Sequence, residues 1–151
     1  MGWSWWATAP LALAAFALAV PWLLAHSPEI GFALQRGFSL VCHQQPERSF
    51  LLIGGAVAVC ARCLGIYCGA AGGLLLRVPR RVASRCLIAA FAMNLADWFA
   101  EFGLHGNWMF ARFALGLTLG ASAAMLVITS VDPAATPTQA RPARAGHPLP
   151  N

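Results

Sequence analysis

The chain has 151 residues, 59% of them hydrophobic and 10% charged, against roughly a quarter charged in soluble domains. A mean hydropathy of +0.65 marks an integral membrane protein, one domain at most, with the lipid bilayer as its first partner. The net charge of +5 is carried by ten arginines and no lysine; no basic patch interleaves with aromatics in a soluble segment, which excludes nucleic-acid binding.

Four apolar stretches follow in chain order, each near the ~20 residues a helix needs to cross ~30 Å of hydrocarbon. The fold class they predict is an all-α membrane protein, a compact bundle of four transmembrane helices over residues 1–132. The first helix is expected over about residues 5–25, with Pro10 and Pro21 near its ends and Pro21 able to kink the outer turn. A cleaved signal peptide is the competing assignment. The uncharged segment Met1–Trp6 and an apolar run longer than a typical signal core favour a retained helix. His26, at its end, reads as an ordinary interface residue.

The connection that follows holds Cys42-His43-Gln44-Gln45-Pro46-Glu47-Arg48-Ser49, and Cys60-Ala61-Arg62-Cys63 comes soon after. Residues 42–63 thus concentrate three of the five cysteines and one of the four histidines. Such residues are too costly beside hydrocarbon to be incidental. The second helix is expected over about residues 56–76. Cys60 and Cys63 then share one helical face, followed by Tyr67. Together with Cys42 and His43 they supply a Cys3His set suited to zinc or another transition metal. The alternative is that these cysteines are small hydrophobes, which is the reading given to Cys68 and Cys86. Arg62 either lowers the thiol pKa values or snorkels to the outer interface. Arg48 is an anion clamp or a partner for Glu47.

Between the second and third stretches, Arg77, Arg80, Arg81 and Arg85 occur with no acid, as in a cytoplasmic loop. The connection before residue 56 balances Glu29 and Glu47 against Arg36 and Arg48. Both termini are then cytoplasmic, the Cys/His connection is extracytoplasmic, and the protein lies in the cell inner (plasma) membrane as a multi-pass protein. The third helix is expected over about residues 86–102. It is the shortest and most polar, so it should lean on its neighbours more than face lipid. Asn94, Asp97 and Glu101 share one of its faces. Buried acids in spanning helices normally have partners, here Arg112 or Arg62. These residues either form an interhelical ion pair or handle protons or ligand beside the thiols. His105 and Asn107 fall in the next short connection.

The fourth helix is expected over about residues 109–131. Gly65, Gly69 and Gly73 recur every four residues on the second helix, and Gly116 and Gly120 on the fourth, with Ala124 continuing the stripe. Small-xxx-small stripes allow close helix approach, so these two helices should cross there, bringing Arg112 toward Cys60 and Cys63. A homo-oligomer through one stripe is the competing use. Trp3, Trp5, Trp6, Trp98 and Trp108 sit where an aromatic belt would place them. The tail, residues 133–151, is Pro/Ala-rich and expected to be disordered; it carries Arg141, Arg144 and His147.

The series Cys42-His43-Gln44, Arg48-Ser49-Phe50 and Cys60-Ala61-Arg62-Cys63-Leu64-Gly65-Ile66-Tyr67 resembles a family of small prokaryotic multi-pass membrane proteins known as domain of unknown function 2085. The resemblance continues through Asp97, Asn107, Arg112, Gly116 and Gly120. Leu64 departs from an expected threonine, and Trp98 from an expected glycine beside Asp97. The family name implies a membrane domain in which this motif matters, and no activity.

Three functions remain open. A metal-binding membrane protein requires His43 and all three cysteines, although the Cys42-to-Cys60 spacing matches no standard zinc signature. A thiol–disulfide oxidoreductase requires Cys60 and Cys63, with Arg62 as activating charge, but lacks an obvious second cysteine pair. A non-catalytic accessory subunit requires none of them individually. Whether the protein is an enzyme, and which redox or metal-delivery partner it serves, are left open by the sequence.

Overall fold

A computed structural model describes residues 4–52, 55–104 and 108–131. The expected tail at 133–151, together with Trp3, His105 and Asn107, lies outside the described residues. Five α-helices occur among them: α1 (Ser4–His26), α2 (Pro28–Ser39), α3 (Ala61–Gly73), α4 (Arg80–Leu104) and α5 (Met109–Val131). A 3-10 turn, Pro46–Arg48, and a two-stranded antiparallel hairpin, β1 (Leu51–Leu52) with β2 (Gly55–Ala56), lie between α2 and α3.

Three helices among the described residues are long and apolar enough to cross a membrane, over Thr8–His26, Arg80–Ala100 and Met109–Val131. The fourth expected span, 56–76, is not a helix of that length. α3 has 13 residues, about 20 Å at 1.5 Å per residue, well short of the hydrocarbon thickness. The cause is local. Cys60 holds extended dihedrals (φ −66°, ψ 159°) as the N-cap of α3, and Val57, Ala58 and Val59 run into it as buried chain, at most 2% exposed. The Ala58 amide donates to the Ala17 carbonyl at 3.4 Å, so α1 covers this apolar run without its being helical. A short apolar run between turn signals is compatible with either state. At the other end α3 unwinds after Gly73, with the amides of Leu75 and Leu76 donating to the carbonyls three residues back.

α2 replaces what reads as a plain connection. Ser27 precedes Pro28 at the first helical position, with Glu29 in the first turn and Arg36 in the last, an arrangement that suits the helix dipole. α2 folds back on α1: a Cβ at Gly31 would meet the Leu24 backbone, and Phe38 joins Ala14, Ala17 and Val20 in the buried cluster.

α4 starts earlier than expected because the Pro79 carbonyl accepts from Val82 and Ala83. Arg80, Arg81 and Arg85 therefore belong to the first turns of α4 and not to a loop. Its spanning window is only 11% buried inside the protein, against 33% for α5. The expectation that this helix leans on its neighbours is thus corrected: most of α4 is exposed, with Ile88 and Phe91 at 70% and 60%, as a lipid-facing surface would be.

α3 lies along α5. A Cβ at Gly65 would strike the Phe113 carbonyl, at Gly69 that of Leu117 and at Gly73 that of Ala121; reciprocally, Gly116 faces the Arg62 carbonyl and Gly120 that of Ile66. The numbers rise together, so the two helices are parallel, their backbones in direct contact along both glycine stripes. α4 runs antiparallel to α5: the Asn94 side-chain amide donates to the Leu115 carbonyl at 3.0 Å, and Asp97 faces Arg112. The N-termini of α3 and α5 and the C-terminal part of α4 are thereby gathered at one end.

Candidate functional site

The thiols meet where the chain enters α3. Cys60 is the N-cap, and Cys63 stands one turn on, on the same face. Cys42 arrives from the turn that ends α2, its amide bonded to the Phe38 carbonyl at 3.0 Å. The three sulfurs lie within 4.8 Å of one another. Cys42 is 6% exposed, and all five cysteines are free. The Cys60 amide donates to the Cys42 sulfur at 3.2 Å. Hydrogen bonds to Cys42 from the Cys60 thiol, and next from the Cys63 thiol, hold the Cys42 thiol well below its ordinary pKa, against the opposing effect of burial. A helix N-terminus favours a thiolate for the same electrostatic reason.

His43 is exposed and does not belong to the group of three sulfurs. The following residue, Gln44, adopts φ 48°, a left-handed conformation uncommon outside glycine and asparagine. Its side-chain amide donates to the Gln35 carbonyl at 2.6 Å, tying the turn to α2. Tyr67 lies below the thiols with its ring 6.5 Å from that of Phe38. Cys68 and Cys86 stand apart from the group.

Beside the thiols sits a charged cluster. Arg62 and Asp97 form an ion pair, and the Nε of Arg112 is 3.9 Å from the same carboxylate oxygen. Arg112 is only 6% exposed, so it does not snorkel to an interface. Arg62 does not either, because its guanidinium is turned onto Asp97 across to α4. Both partners expected for Asp97 are therefore at hand. Asn94, one turn earlier, donates to the carbonyls of Ala90 and Leu115 at 2.9 and 3.0 Å, bracing α4 on α5. Glu101 lies on the same helix, with its side chain outside the described residues.

Arg48, Cys60, Arg62 and Arg112 line a cavity of about 50 Å³. The glycine stripes already lead one to expect Arg112 near Cys60, Arg62 and Cys63; the arrival of Arg48 beside them is what the sequence does not announce. The 3-10 turn at Pro46–Arg48 brings Arg48 in from the loop. Phe50 packs against Phe110 and Phe113, with ring centroids 5.6 and 5.8 Å away, and so fastens that loop to the start of α5. Nothing in the local spacing of Phe50 signals that role.

Residues 42–126 match the family described as predicted membrane protein (DUF2085). The chain is similar to an uncharacterized protein of Methanocaldococcus jannaschii, 33% identical over 101 residues, which is 60% of this chain and 64% of that protein. It is also similar to an uncharacterized protein of Methanothermobacter thermautotrophicus, 32% identical over 95 residues, 59% of this chain and 86% of that one. The chain thus spans less than two thirds of the first relative's length. No solved structure matches it.

Proposed function

The chain belongs to the DUF2085 family of predicted membrane proteins, and from that premise we propose that it holds a thiophilic metal ion, zinc or another transition metal, on Cys42, Cys60 and Cys63. The observation that carries this reading is the mutual approach of the three sulfurs to within 4.8 Å. Thiolates around one zinc at ~2.3 Å stand roughly 3.8 Å apart in a tetrahedral site, so a small contraction suffices. Three thiolates leave one position open, and His43, adjacent to Cys42 though exposed, is the candidate fourth ligand. The metal would sit at the extracytoplasmic end of α3 and α5.

The membrane placement that goes with this reading is a plasma-membrane protein with both termini cytoplasmic. The arginines of 77–85 mark the cytoplasmic side. α3 together with the extended residues 57–59 before it and the chain after Gly73 would make the crossing that α3 is too short to make alone. A non-helical crossing is tolerated where protein covers its backbone, as α1 covers residues 57–59.

A second reading, thiol–disulfide exchange, is favoured by the hydrogen bond from the Cys60 amide to the Cys42 sulfur, which suits a reactive thiolate. An accessory role without chemistry needs neither feature. Elemental analysis separates them, on protein purified in detergent without chelator or immobilised-metal resin, beside Cys60→Ser/Cys63→Ser and His43→Ala. About one equivalent of a single metal, lost in the double variant, supports the metal site; retention in His43→Ala would restrict it to the thiols. A metal-free wild type sinks the metal reading, and a Cys60–Cys63 disulfide that cycles with a dithiol reagent would then favour exchange.

A further inference from the structure

We propose that the cavity beside Cys60 binds a single small oxyanion of the phosphate or sulfate type. Three arginines line it from three separate elements: Arg48 from the 3-10 turn, Arg62 from the first turn of α3, and Arg112 from the first turn of α5. Among the described residues its lining carries no acidic side chain, and behind it the single carboxylate of Asp97 is shared by Arg62 and Arg112. The Nε of Arg62 is buried with no hydrogen-bond partner, although buried donors are almost always paired. The cavity also adjoins the start of α3, whose N-cap Cys60 makes no side-chain capping bond. The first-turn amides of a helix attract anions, and planar guanidinium groups match the edges of a tetrahedral oxyanion.

Size sets the ligand class. About 50 Å³ is less than twice the ~30 Å³ share of one water. That space admits one phosphate- or sulfate-sized group and excludes a nucleotide or a sugar. The group could be a free anion or the phosphate of a lipid headgroup, which share this chemistry. The site does not rest on the metal reading, since it requires neither ionised nor metallated thiols.

The test uses the full chain in a phosphate-free nonionic detergent, treated with chelator. It is titrated calorimetrically with sodium phosphate and with sodium sulfate at constant ionic strength, and its lipid extract is assayed for phosphorus. Saturable binding of about one equivalent is expected, weakened at least ~10-fold in Arg48→Gln and less in Arg48→Lys. One phospholipid per chain, displaced by excess phosphate and absent from Arg48→Gln, would identify the headgroup as the occupant. Binding without such a lipid would identify the free anion. Arg112→Gln is the second variant. Arg48 lies outside the spanning helices, so Arg48→Gln keeps the test decisive if Arg112→Gln does not fold. The proposal is overturned if folded wild type neither binds these anions nor carries a displaceable phospholipid, or if Arg48→Gln binds as tightly as wild type. Metal content of the untreated protein, measured in parallel, separates this outcome from failure of the metal reading.

Discussion

The backbone amide of Cys60 donates a hydrogen bond to the sulfur of Cys42, 3.2 Å away and 18 residues earlier in the chain. This contact joins the turn after α2 to the start of α3. It orients the Cys42 sulfur toward Cys60 and Cys63, and it ties thiol chemistry to the loop that also carries Arg48.

Cys42→Ser should therefore remove metal more completely than changes around the site. Partners that only orient a ligand are worth ~10–100-fold in affinity, and removal of a ligand itself should exceed that. Competition against a chromophoric chelator measures it. An affinity within ~3-fold of wild type would show that Cys42 is not a ligand.

The glycine stripes give a contrast within one helix. A Cβ at Gly69 would overlap the Leu117 backbone, whereas at Gly72 it would meet nothing within 4 Å. Gly69→Val should cost about 1–3 kcal/mol or more from overpacking. Gly72→Ala should be neutral or stabilise by up to ~1 kcal/mol through helix propensity. Thermal unfolding in one detergent, read side by side, checks the pair; equal shifts would mean that α3 does not pack on α5 through this stripe.

Arg62 and Asp97 bridge α3 and α4. A double-mutant cycle with Arg62→Gln and Asp97→Asn should give a coupling of ~0.5–3 kcal/mol. Each single variant should destabilise more than an exposed ion pair would, because the remaining charge stays partly buried. Additivity within ~0.3 kcal/mol would demote the pair to a surface contact.

Orientation can be read with an added thiol. Arg77 is exposed between α3 and α4, so Arg77→Cys in intact bacterial cells should resist a membrane-impermeant maleimide and label after permeabilisation, above the wild-type background. Labelling in intact cells would invert the proposed topology.

Some of this was legible without a fold. Helix α5 (Met109–Val131) coincides with its apolar stretch, and α1 (Ser4–His26) is within a residue of it at either end, because the length of an apolar run is a local property. The spacing of Gly65, Gly69 and Gly73 against Gly116 and Gly120 likewise announced close approach, since four-residue repeats define one helical face. The segment 56–76 was not legible. Uniform apolarity does not say whether Val57–Val59 are buried as helix or as extended chain; α1, lying across them, decides it.

The sequence by itself determined that this is a membrane protein, where three of its four apolar stretches form helices long enough to cross, and which residue types are chemically capable. The tertiary structure decided what those residues do together. Cys42 and Arg48 reach the start of α3 because α2 folds back and the Phe50 ring docks on α5. Arg112 reaches Asp97 and Arg62 because two glycine-faced helices lie backbone to backbone. His43 is left facing outward by the same turn that buries Cys42. Local periodicity announced the approach of Arg112 through the glycine stripes; the arrival of Arg48 and the outward turn of His43 depend on contacts between residues distant in the chain, about which it carries no information.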